Sequence, residues 1–378
     1  MSKFTQKFKG DKTIWLVALA LALTSILAVY SSTYNLSMNK NVSFYYLSTQ
    51  VMVMFVGFIF MYLIHKIPVQ IYCKFALAGF IVSMILLISM FFYGGSNVRA
   101  MRWSWLPIVG EYQPSDIVKI LMVIYLAKML DEANFKSFGD FFLKILAPVG
   151  LVCIIILKGH QSAVIIMGFV YTLMILISGI KISHKLITLG LVVSFGIFYI
   201  CFGDQVPWFN RHSTLKGRTK SERVETIQEY RAKVAVASGK LFGKGPGNST
   251  QRKYLSEGHN DFIYSIIIEE YGLAGGIMLM LLYLILFYRV ILLAKQCARQ
   301  YTMLLLTGLI CLLMIQATVH MGVASGAITI TGQTLPLISM GGTSALTACV
   351  ALGMILSVSR AVQKNEAETE SKSEDCEK

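Results

Sequence analysis

The stretch IWLVALALALTSILAVYS, residues 14–31, decides what kind of protein this chain is. It has 18 consecutive positions without a charge, which is long enough for a helix to cross most of the ~30 Å hydrocarbon core of a membrane. Similar runs recur along all 378 residues, of which 55% are hydrophobic and only 14% charged. A soluble protein of this size has too little interior to hide so much apolar surface. The chain is therefore predicted to be an all-α polytopic membrane protein.

About ten membrane-spanning helices are predicted from the positions of these runs. The two-residue alternation that a membrane barrel needs is absent. The first run is expected to be a true span, because no small-residue cleavage site of a signal peptide follows it. The predicted spans are residues 14–31, 45–64, 70–93, 115–130, 141–157, 161–180, 185–203, 261–288, 302–321 and 334–358.

The distribution of basic residues predicts the orientation of the chain. The N-terminal tail, the loops after even-numbered spans and the C-terminal tail hold 18 of the 34 Lys and Arg residues, whereas the opposite short loops hold five. Because basic loops stay on the cytoplasmic side, both termini are predicted to be cytoplasmic. Residues 1–360 then form one integral membrane domain whose long loop, residues 204–260 between spans seven and eight, faces outward. The polar, charge-rich residues 361–378 are predicted to be a disordered tail.

Charge and cysteine content exclude two other classes of protein. The net charge of +14 does not indicate a nucleic-acid partner, because the basic residues are dispersed around the spans. The seven cysteines show no CxxC or other ligand spacing, and six lie in or beside spans, where a thiol behaves as a small hydrophobic group. Neither a disulfide framework nor a metal site is expected from them.

The long loop gathers much of the polar chemistry. It holds 11 basic residues against five acidic ones, and its middle, SERVETIQEYRAKVAVASGK, has the spacing of an amphipathic helix suited to a membrane surface. The glycines of the following GKLFGKGPGNSTQ would let backbone amides approach an anion, with charge added by Lys240 and Lys244. A flexible turn is the alternative interpretation of the same glycines.

The stretch EGHNDFIYSIIIEEYG, residues 257–272, holds four carboxylates, and three of them lie at the edge of the eighth span or inside it. Asp261 lies at the edge of the run, where it could simply cap the helix. Glu269 and Glu270 lie inside it, where a carboxylate costs about 2.5–3.5 kcal/mol, so both should face a partner, the bundle interior or a wet cavity. At 100° per residue, Glu269 and Glu270 are rotated by about 80° and 180° from Asp261. Asp261 and Glu269 could therefore line one cleft, while Glu270 pairs inside the bundle.

A second polar cluster lies before the fourth span, in NVRAMRWSWLPIVGEYQPSDIVK. Arg102 has tryptophans close by, an interfacial arrangement able to hold a lipid head group. Lys119 could neutralise Asp116, three residues earlier on the same helix, or it could face a phosphate. In the second case Arg102, Lys119 and the loop lysines would form an outward cationic cleft suited to a diphosphate lipid.

These stretches together resemble the SEDS family (shape, elongation, division and sporulation), which includes FtsW, RodA and SpoVE. The similar stretches are AVYSST, MRW with QPSDIVK, GKGPGNSTQRKYLSEGHNDFIYSIIIEEYG and HMGVASGAITITGQTLPLISMGGTS. They follow the family's order over almost the whole chain, and the ten spans and the long outer loop lie where the family has them. The opening GDKTIWLV and the following LAVYSST favour the division type, FtsW, over the elongation type, RodA.

The resemblance implies a SEDS-type fold and a peptidoglycan glycosyltransferase of the bacterial inner membrane, which polymerises lipid II into β-1,4 glycan on the outer side. It assigns Asp261, in the motif HNDF, as the essential acid, and a general base suits that chemistry. The residues expected to contact substrate are Arg102, Gln113, Ser115, Lys119, Lys244, Asn248, His259 and Glu269. The implied partners are a class B penicillin-binding protein and other divisome or elongasome proteins. No metal ligands are assigned, and a divalent cation, Mg²⁺ or Mn²⁺, is left open because no DxD motif or ligand cluster occurs.

One departure and two alternatives accompany this interpretation. Many family members have an acid in E-P-D-L-G-T, where this chain has LKGHQS, residues 157–162, so His160 or Gln161 is the candidate replacement. A lipid II flippase is the main alternative function, because Glu269, Glu270 and the glycine pairs in AGG and MGG are compatible with broken helices around a central site. A scaffold that only recruits a partner would not need buried acids.

Overall fold

A computed structural model describes residues 10–33, 40–93, 104–106, 110–132, 135, 137–157, 159–202, 220–255, 258–328 and 331–376. In this part of the chain the structure is almost entirely helical. The helices are α1 Lys12–Thr33, α2 Lys40–Lys66, α3 Val69–Lys74, α4 Ala76–Tyr93, α5 Pro114–Asp131, α6 Phe138–Leu157, α7 Gln161–Ile177, α8 Ile182–Phe202, α9 Lys220–Gly239, α10 Ile263–Gln296, α11 Gln300–Ala324 and α12 Gly342–Cys376. A short antiparallel hairpin, β1 Ser104–Leu106 and β2 Gly110–Tyr112, precedes α5.

Helices occur at each of the ten predicted span positions, with α3 and α4 together forming the third. Six helices in the described residues are long and apolar enough to cross a membrane: α1, α2, α6, α10, α11 and α12. Three shorter apolar segments lie in α4, α7 and α8. The all-α membrane fold is therefore confirmed, while the number of ten spans stays a prediction, since α5 carries several charges.

The helices are apolar on both their inner and outer faces. In α1, Val17 and Leu21 are buried against neighbouring helices, whereas Leu16 is 67% exposed. A helix that is hydrophobic all round is typical of a membrane span, whose outer face meets lipid. The core is built where α1 and α11 pack on α10, α4 and α11 pack on α5, and α2 packs along α12.

Two interruptions shape one end of this bundle. The helix of the tenth predicted span, α12, begins at Gly342 and not at residue 334 as predicted, because Pro336 cannot donate a backbone hydrogen bond and Leu337 has a positive φ of 64°. Residues 331–341, which we call the connecting segment, are consequently non-helical. In α10, Gly272 breaks the helix with φ 72° and ψ −176°, a conformation open to glycine.

The two ends of the bundle are stabilised by different contacts. We call the end that carries the connecting segment and residues 220–255 the loop end. Buried hydrogen bonds stabilise it. At the opposite end Asp11 pairs with Arg289 at 2.6 Å, and Asp131 pairs with Arg299 at 3.3 Å. These ion pairs tie the start of α1 to α10 and the end of α5 to α11.

The last helix runs further than the sequence indicated. α12 continues to Cys376, through residues 361–376, where the charged composition predicts a disordered tail. Glu, Lys and Ala are frequent there and are good helix formers, which accounts for the helical backbone.

Candidate active site

Asp261 lies in a turn directly before α10. The helix begins at Ile263, and its N-cap residue is Phe262. Asp261 therefore lies one residue before the N-cap position. Its side chain is partly exposed, while Phe262 behind it is buried.

The turn that carries Asp261 is fixed by the connecting segment. The amide of Met340 donates to the carbonyl of His259 at 3.0 Å, and the Ser339 hydroxyl donates to the carbonyl of Asn260 at 2.8 Å. The His259 ring packs against Tyr46, with 5.5 Å between ring centroids. Two backbone carbonyls next to the acid are thus held from a segment some 80 residues away in sequence.

The other end of the connecting segment meets the start of α5. Lys119 pairs with Asp116 at 2.9 Å and donates to the Gln333 side-chain oxygen at 3.3 Å. The Lys119 side chain is only 1% exposed. Together with their buried neighbours these residues form what we call the polar cluster: Gln113, Ser115, Asp116, Lys119, His160, Ser162 and Gln333.

His160 is the hub of the polar cluster. Its Nδ1 lies 2.8 Å from the amide of Gln113 and 3.1 Å from the Ser115 hydroxyl, and its Nε2 lies 2.7 Å from the amide of Gln333. The backbone carbonyl of Gln333 is in turn bonded to Nδ1 of His320 at 2.8 Å. The start of α5, the turn before α7 and the connecting segment are therefore joined through one imidazole.

The structure brings three predicted substrate residues, Gln113, Ser115 and Lys119, into this cluster. Lys119 makes the ion pair with Asp116 that the three-residue spacing predicts, and its contact with a phosphate stays a prediction. Gln333 was not predicted, although it stands in the stretch TGQTLPLIS that carries the resemblance. Arg102 lies outside the described residues.

Glu269 anchors the outer loop onto α10. Its carboxylate accepts hydrogen bonds from Lys244 Nζ at 2.6 Å, Thr250 N at 3.0 Å, Thr250 Oγ1 at 2.8 Å and Gln251 N at 3.2 Å. The hydroxyl of Ser249 donates to it as well. The side chain of Glu269 is fully buried. Its negative charge is balanced by the ammonium group of Lys244 in the loop. Its predicted contact with substrate, like that of Lys244, stays a prediction.

Glu270 pairs inside the bundle, as predicted. Arg252 of the loop lies 3.9 Å from its carboxylate, and the hydroxyl of Ser31 donates to the same oxygen. Arg252 also donates to the Ser31 carbonyl at 2.9 Å. The two adjacent acids therefore hold two neighbouring parts of the loop, one through Lys244 and one through Arg252.

The glycines of the loop pack against the backbone of α10. The amides of Lys244 and Gly245 donate to the carbonyls of Glu269 and Glu270 at 3.0 and 2.9 Å, and the amide of Leu273 donates to the Lys240 carbonyl at 2.9 Å. These bonds replace those that α10 loses at its break. The amides of Lys244 and Gly245 thus face carbonyl oxygens of the protein and not an anion.

Asn248 and the helix in the loop make contacts within the protein. Asn248 donates to the carbonyl of Lys244 at 3.1 Å and closes the turn; its predicted substrate contact is untested. The helix predicted in the loop is present as α9, and it packs against α10 and α11 with Ala232 and Ala235 fully buried.

Among the described residues no group of three His, Cys, Asp or Glu side chains is placed to hold a metal ion. Whether the protein uses a divalent cation remains open.

Comparison with known proteins gives the family. Residues 11–364 match the cell cycle proteins of the FtsW, RodA and SpoVE type. The chain belongs to the FtsW/RodA/SpoVE family.

Relatives of this FtsW/RodA/SpoVE protein are similar over nearly their whole length. Stage V sporulation protein E of Bacillus subtilis is 30% identical, covering 94% of this chain and 98% of the relative. The probable peptidoglycan glycosyltransferase FtsW of Geobacter sulfurreducens is 29% identical, covering 92% and 95%. A chain in a solved peptidoglycan synthase complex superposes with a TM-score of 0.71 at 21% identity, covering 93% and 98%. The predicted SEDS family and fold are confirmed.

Proposed function

We propose that this protein of the FtsW/RodA/SpoVE family is a peptidoglycan glycosyltransferase that polymerises lipid II, with Asp261 as general base. The family and the relatives named as peptidoglycan glycosyltransferases support the reaction class. The substrate and the role of Asp261 are our assignment. FtsW-type action in cell division is favoured by the residues before and in α1, and RodA-type elongation is the alternative.

One observation supports the mechanistic part of the proposal: the connecting segment contacts both the turn of Asp261 and the side chain of Lys119. The connecting segment binds the turn of Asp261 through Ser339 and contacts Lys119 through Gln333. Gln333 and Ser339 are six positions apart, so even a fully extended chain would place their Cα atoms within about 20 Å. A disaccharide joined to a lipid diphosphate is a long substrate, and we infer that it lies along this segment.

The chemistry needs one base and a positive environment for the leaving group. The 4-hydroxyl of the acceptor sugar attacks the anomeric carbon of the donor, and Asp261 takes up the hydroxyl proton. The bond between the anomeric carbon and the diphosphate oxygen breaks, and undecaprenyl diphosphate leaves with the electron pair. A partly exposed carboxylate suits the base, and we assign Arg102 and Lys119 to the developing charge on the diphosphate.

Lys119 can donate one more hydrogen bond than its partners among the described residues accept. Among the described residues Asp116 and Gln333 are its two hydrogen-bond partners, and an ammonium has three donors. One N–H is thus left for a phosphate oxygen. Since Lys119 is buried, binding of the diphosphate would require a local opening of the polar cluster.

Location and partners follow from the same proposal. We place the loop end outside a bacterial inner membrane and both termini in the cytoplasm, because the basic residues are concentrated in the tails and in loops at the opposite end. We also propose a class B penicillin-binding protein as partner, because newly polymerised glycan strands become part of a cell wall only when they are crosslinked. The relative in the peptidoglycan synthase complex supports such a pairing.

The flippase alternative loses its main support in the structure. Glu269 and Glu270 suggested an ion or substrate site within the membrane, but both are occupied by the loop, through Lys244 and Arg252. The glycine pairs Gly275–Gly276 and Gly341–Gly342 remain as the feature that a transporter would share.

Proteoliposomes containing lipid II test the function directly. The purified protein, alone and with its cognate class B penicillin-binding protein, should convert lipid II into glycan polymer resolved by chain length. An empty-liposome control gives the background. Faster movement of lipid II across the bilayer without polymer would contradict the proposal and favour the flippase.

A further inference from the structure

His160 is buried at the hub of the polar cluster, and the mechanism above gives it no role. Its two ring nitrogens have different hydrogen-bond partners. Which of these partners donate and which accept determines which ring nitrogen carries the proton.

Two neighbours fix which end of the Gln333 amide faces which way. The ammonium of Lys119 only donates hydrogen bonds, so the Gln333 atom 3.3 Å from it is the oxygen. Ser162 gives its own proton to the Thr331 carbonyl at 2.8 Å, so its oxygen accepts from the Gln333 amide nitrogen at 3.1 Å. Both contacts turn the NH₂ group of Gln333 toward His160.

The tautomer of His160 follows from this orientation. Its Nε2 lies 2.7 Å from the Gln333 NH₂ group and must accept a hydrogen bond there. An imidazole whose Nε2 accepts is neutral and carries its proton on Nδ1. As placed, the Gln113 NH₂ nitrogen lies 2.8 Å from Nδ1, and two donors cannot face each other there, so the Gln113 amide must be rotated to present its oxygen to the Nδ1 proton. The Ser115 hydroxyl oxygen, 3.1 Å from Nδ1, is a second acceptor.

We propose that His160 is a positioning residue that fixes the ammonium of Lys119 through the amide of Gln333. The ring holds the NH₂ end of the amide, and the other end of the same amide holds Lys119. Relevance to catalysis rests on the proposed function, because the oriented ammonium is there to meet the diphosphate of lipid II. The groups around the ring that carry or gain charge are Asp116 and Lys119 of α5 and His320 of α11.

Two substitutions of His160 separate the two sides of the ring. In His160→Gln the new side-chain oxygen lies as many bonds from Cβ as Nε2, so it accepts from Gln333 and keeps Lys119 in place. In His160→Asn the polar atoms lie as far from Cβ as Nδ1, so Ser115 keeps a partner and Gln333 loses one. We expect kcat/KM for lipid II polymerisation to be about tenfold higher in His160→Gln than in His160→Asn, since a lost buried hydrogen bond weakens the positioning.

A matched pair at the opposite end of the bundle controls for packing. His184 is also buried, among Phe135, Phe138 and Phe141, far from the polar cluster. His184→Gln and His184→Asn should have equal kcat/KM. Melting temperatures of all four variants show whether each is folded.

Solid-state ¹⁵N NMR of histidine-labelled protein in lipid tests the relay without turnover. The His160 signal, assigned by its loss in His160→Gln, should show a neutral ring protonated on Nδ1. A ring protonated on Nε2, a charged ring, or a folded His160→Asn at least as active as His160→Gln would overturn the proposal. If the wild type makes no polymer, the proposed function fails, and the NMR spectrum alone then decides whether the relay exists.

Discussion

At the scale of single residues, Glu269 shows how a carboxylate is accommodated within an apolar helix. A charge in a membrane span is costly unless it is paired and fully hydrogen-bonded. Six hydrogen bonds from residues 238–251 converge on this carboxylate. The hydrogen bonds that make burial of Glu269 possible therefore also attach the loop to α10.

Replacing Glu269 tests this attachment. Glu269→Gln should lower the free energy of unfolding by about 1.5–3 kcal/mol for each charge-assisted bond that the amide cannot accept, seen as a lower melting temperature in detergent. Glu132→Gln, at an exposed acid beyond the end of α5, is the matched control and should be close to wild type. Equal melting temperatures for the two variants would show that Glu269 does not anchor the loop.

Sequence spacing predicts only the short-range part of the site. The pair Asp116 and Lys119 is readable because three residues are one helical turn. The contacts of Lys119 with Gln333 and of Glu270 with Arg252 are not, because they depend on how distant helices pack. Glu270 was expected to pair in the bundle, but no sequence pattern identifies Arg252 among the 11 basic residues of the loop.

At the scale of elements, the break in α10 and the glycines of the loop form one joint. A Cβ on Gly239 would lie 2.1 Å from the carbonyl oxygen of Ile268, and a Cβ on Gly243 would lie 2.2 Å from that of Glu270. Backbone atoms cannot move aside as a flexible side chain can. The loop therefore reaches the broken helix only because these positions lack side chains.

Alanine substitutions test the joint. Gly239→Ala should abolish correct folding or lower the melting temperature sharply, because its methyl group would overlap the α10 backbone. Gly190→Ala, in α8, meets no atom within 4 Å and should be neutral or stabilising by up to about 1 kcal/mol. Thermal unfolding of both proteins in the same detergent gives the comparison, and equal stability would contradict the joint.

Hydropathy located the helices better than their interruptions. Every predicted span has a helix, because burial in lipid requires about 20 apolar residues whatever the packing. The start of α12 was predicted eight residues early, since the apolar LPLIS continues the run while Leu337 takes a left-handed conformation. Gly272 gave no signal either, because a glycine inside an apolar run is common in spans.

At the scale of the whole molecule, the proposed function requires the loop end to lie on the outer side of the inner membrane. In a cysteine-free background, Phe242→Cys in the loop, where the side chain is 79% exposed, should react with a membrane-impermeant maleimide in intact spheroplasts. Glu132→Cys, at the opposite end, should react only after lysis. The reverse pattern would place the proposed site in the cytoplasm and exclude the glycan assembly proposed here.

The rate of glycan formation from lipid II by Asp261→Asn, measured beside wild type and Glu132→Gln, decides whether Asp261 acts as the general base. Asparagine keeps the shape of the side chain but cannot take up the proton of the attacking hydroxyl. We expect polymer from wild type and Glu132→Gln, and a rate at least about 100-fold lower for a normally folded Asp261→Asn. Polymer from Asp261→Asn at the wild-type rate would remove Asp261 from the mechanism.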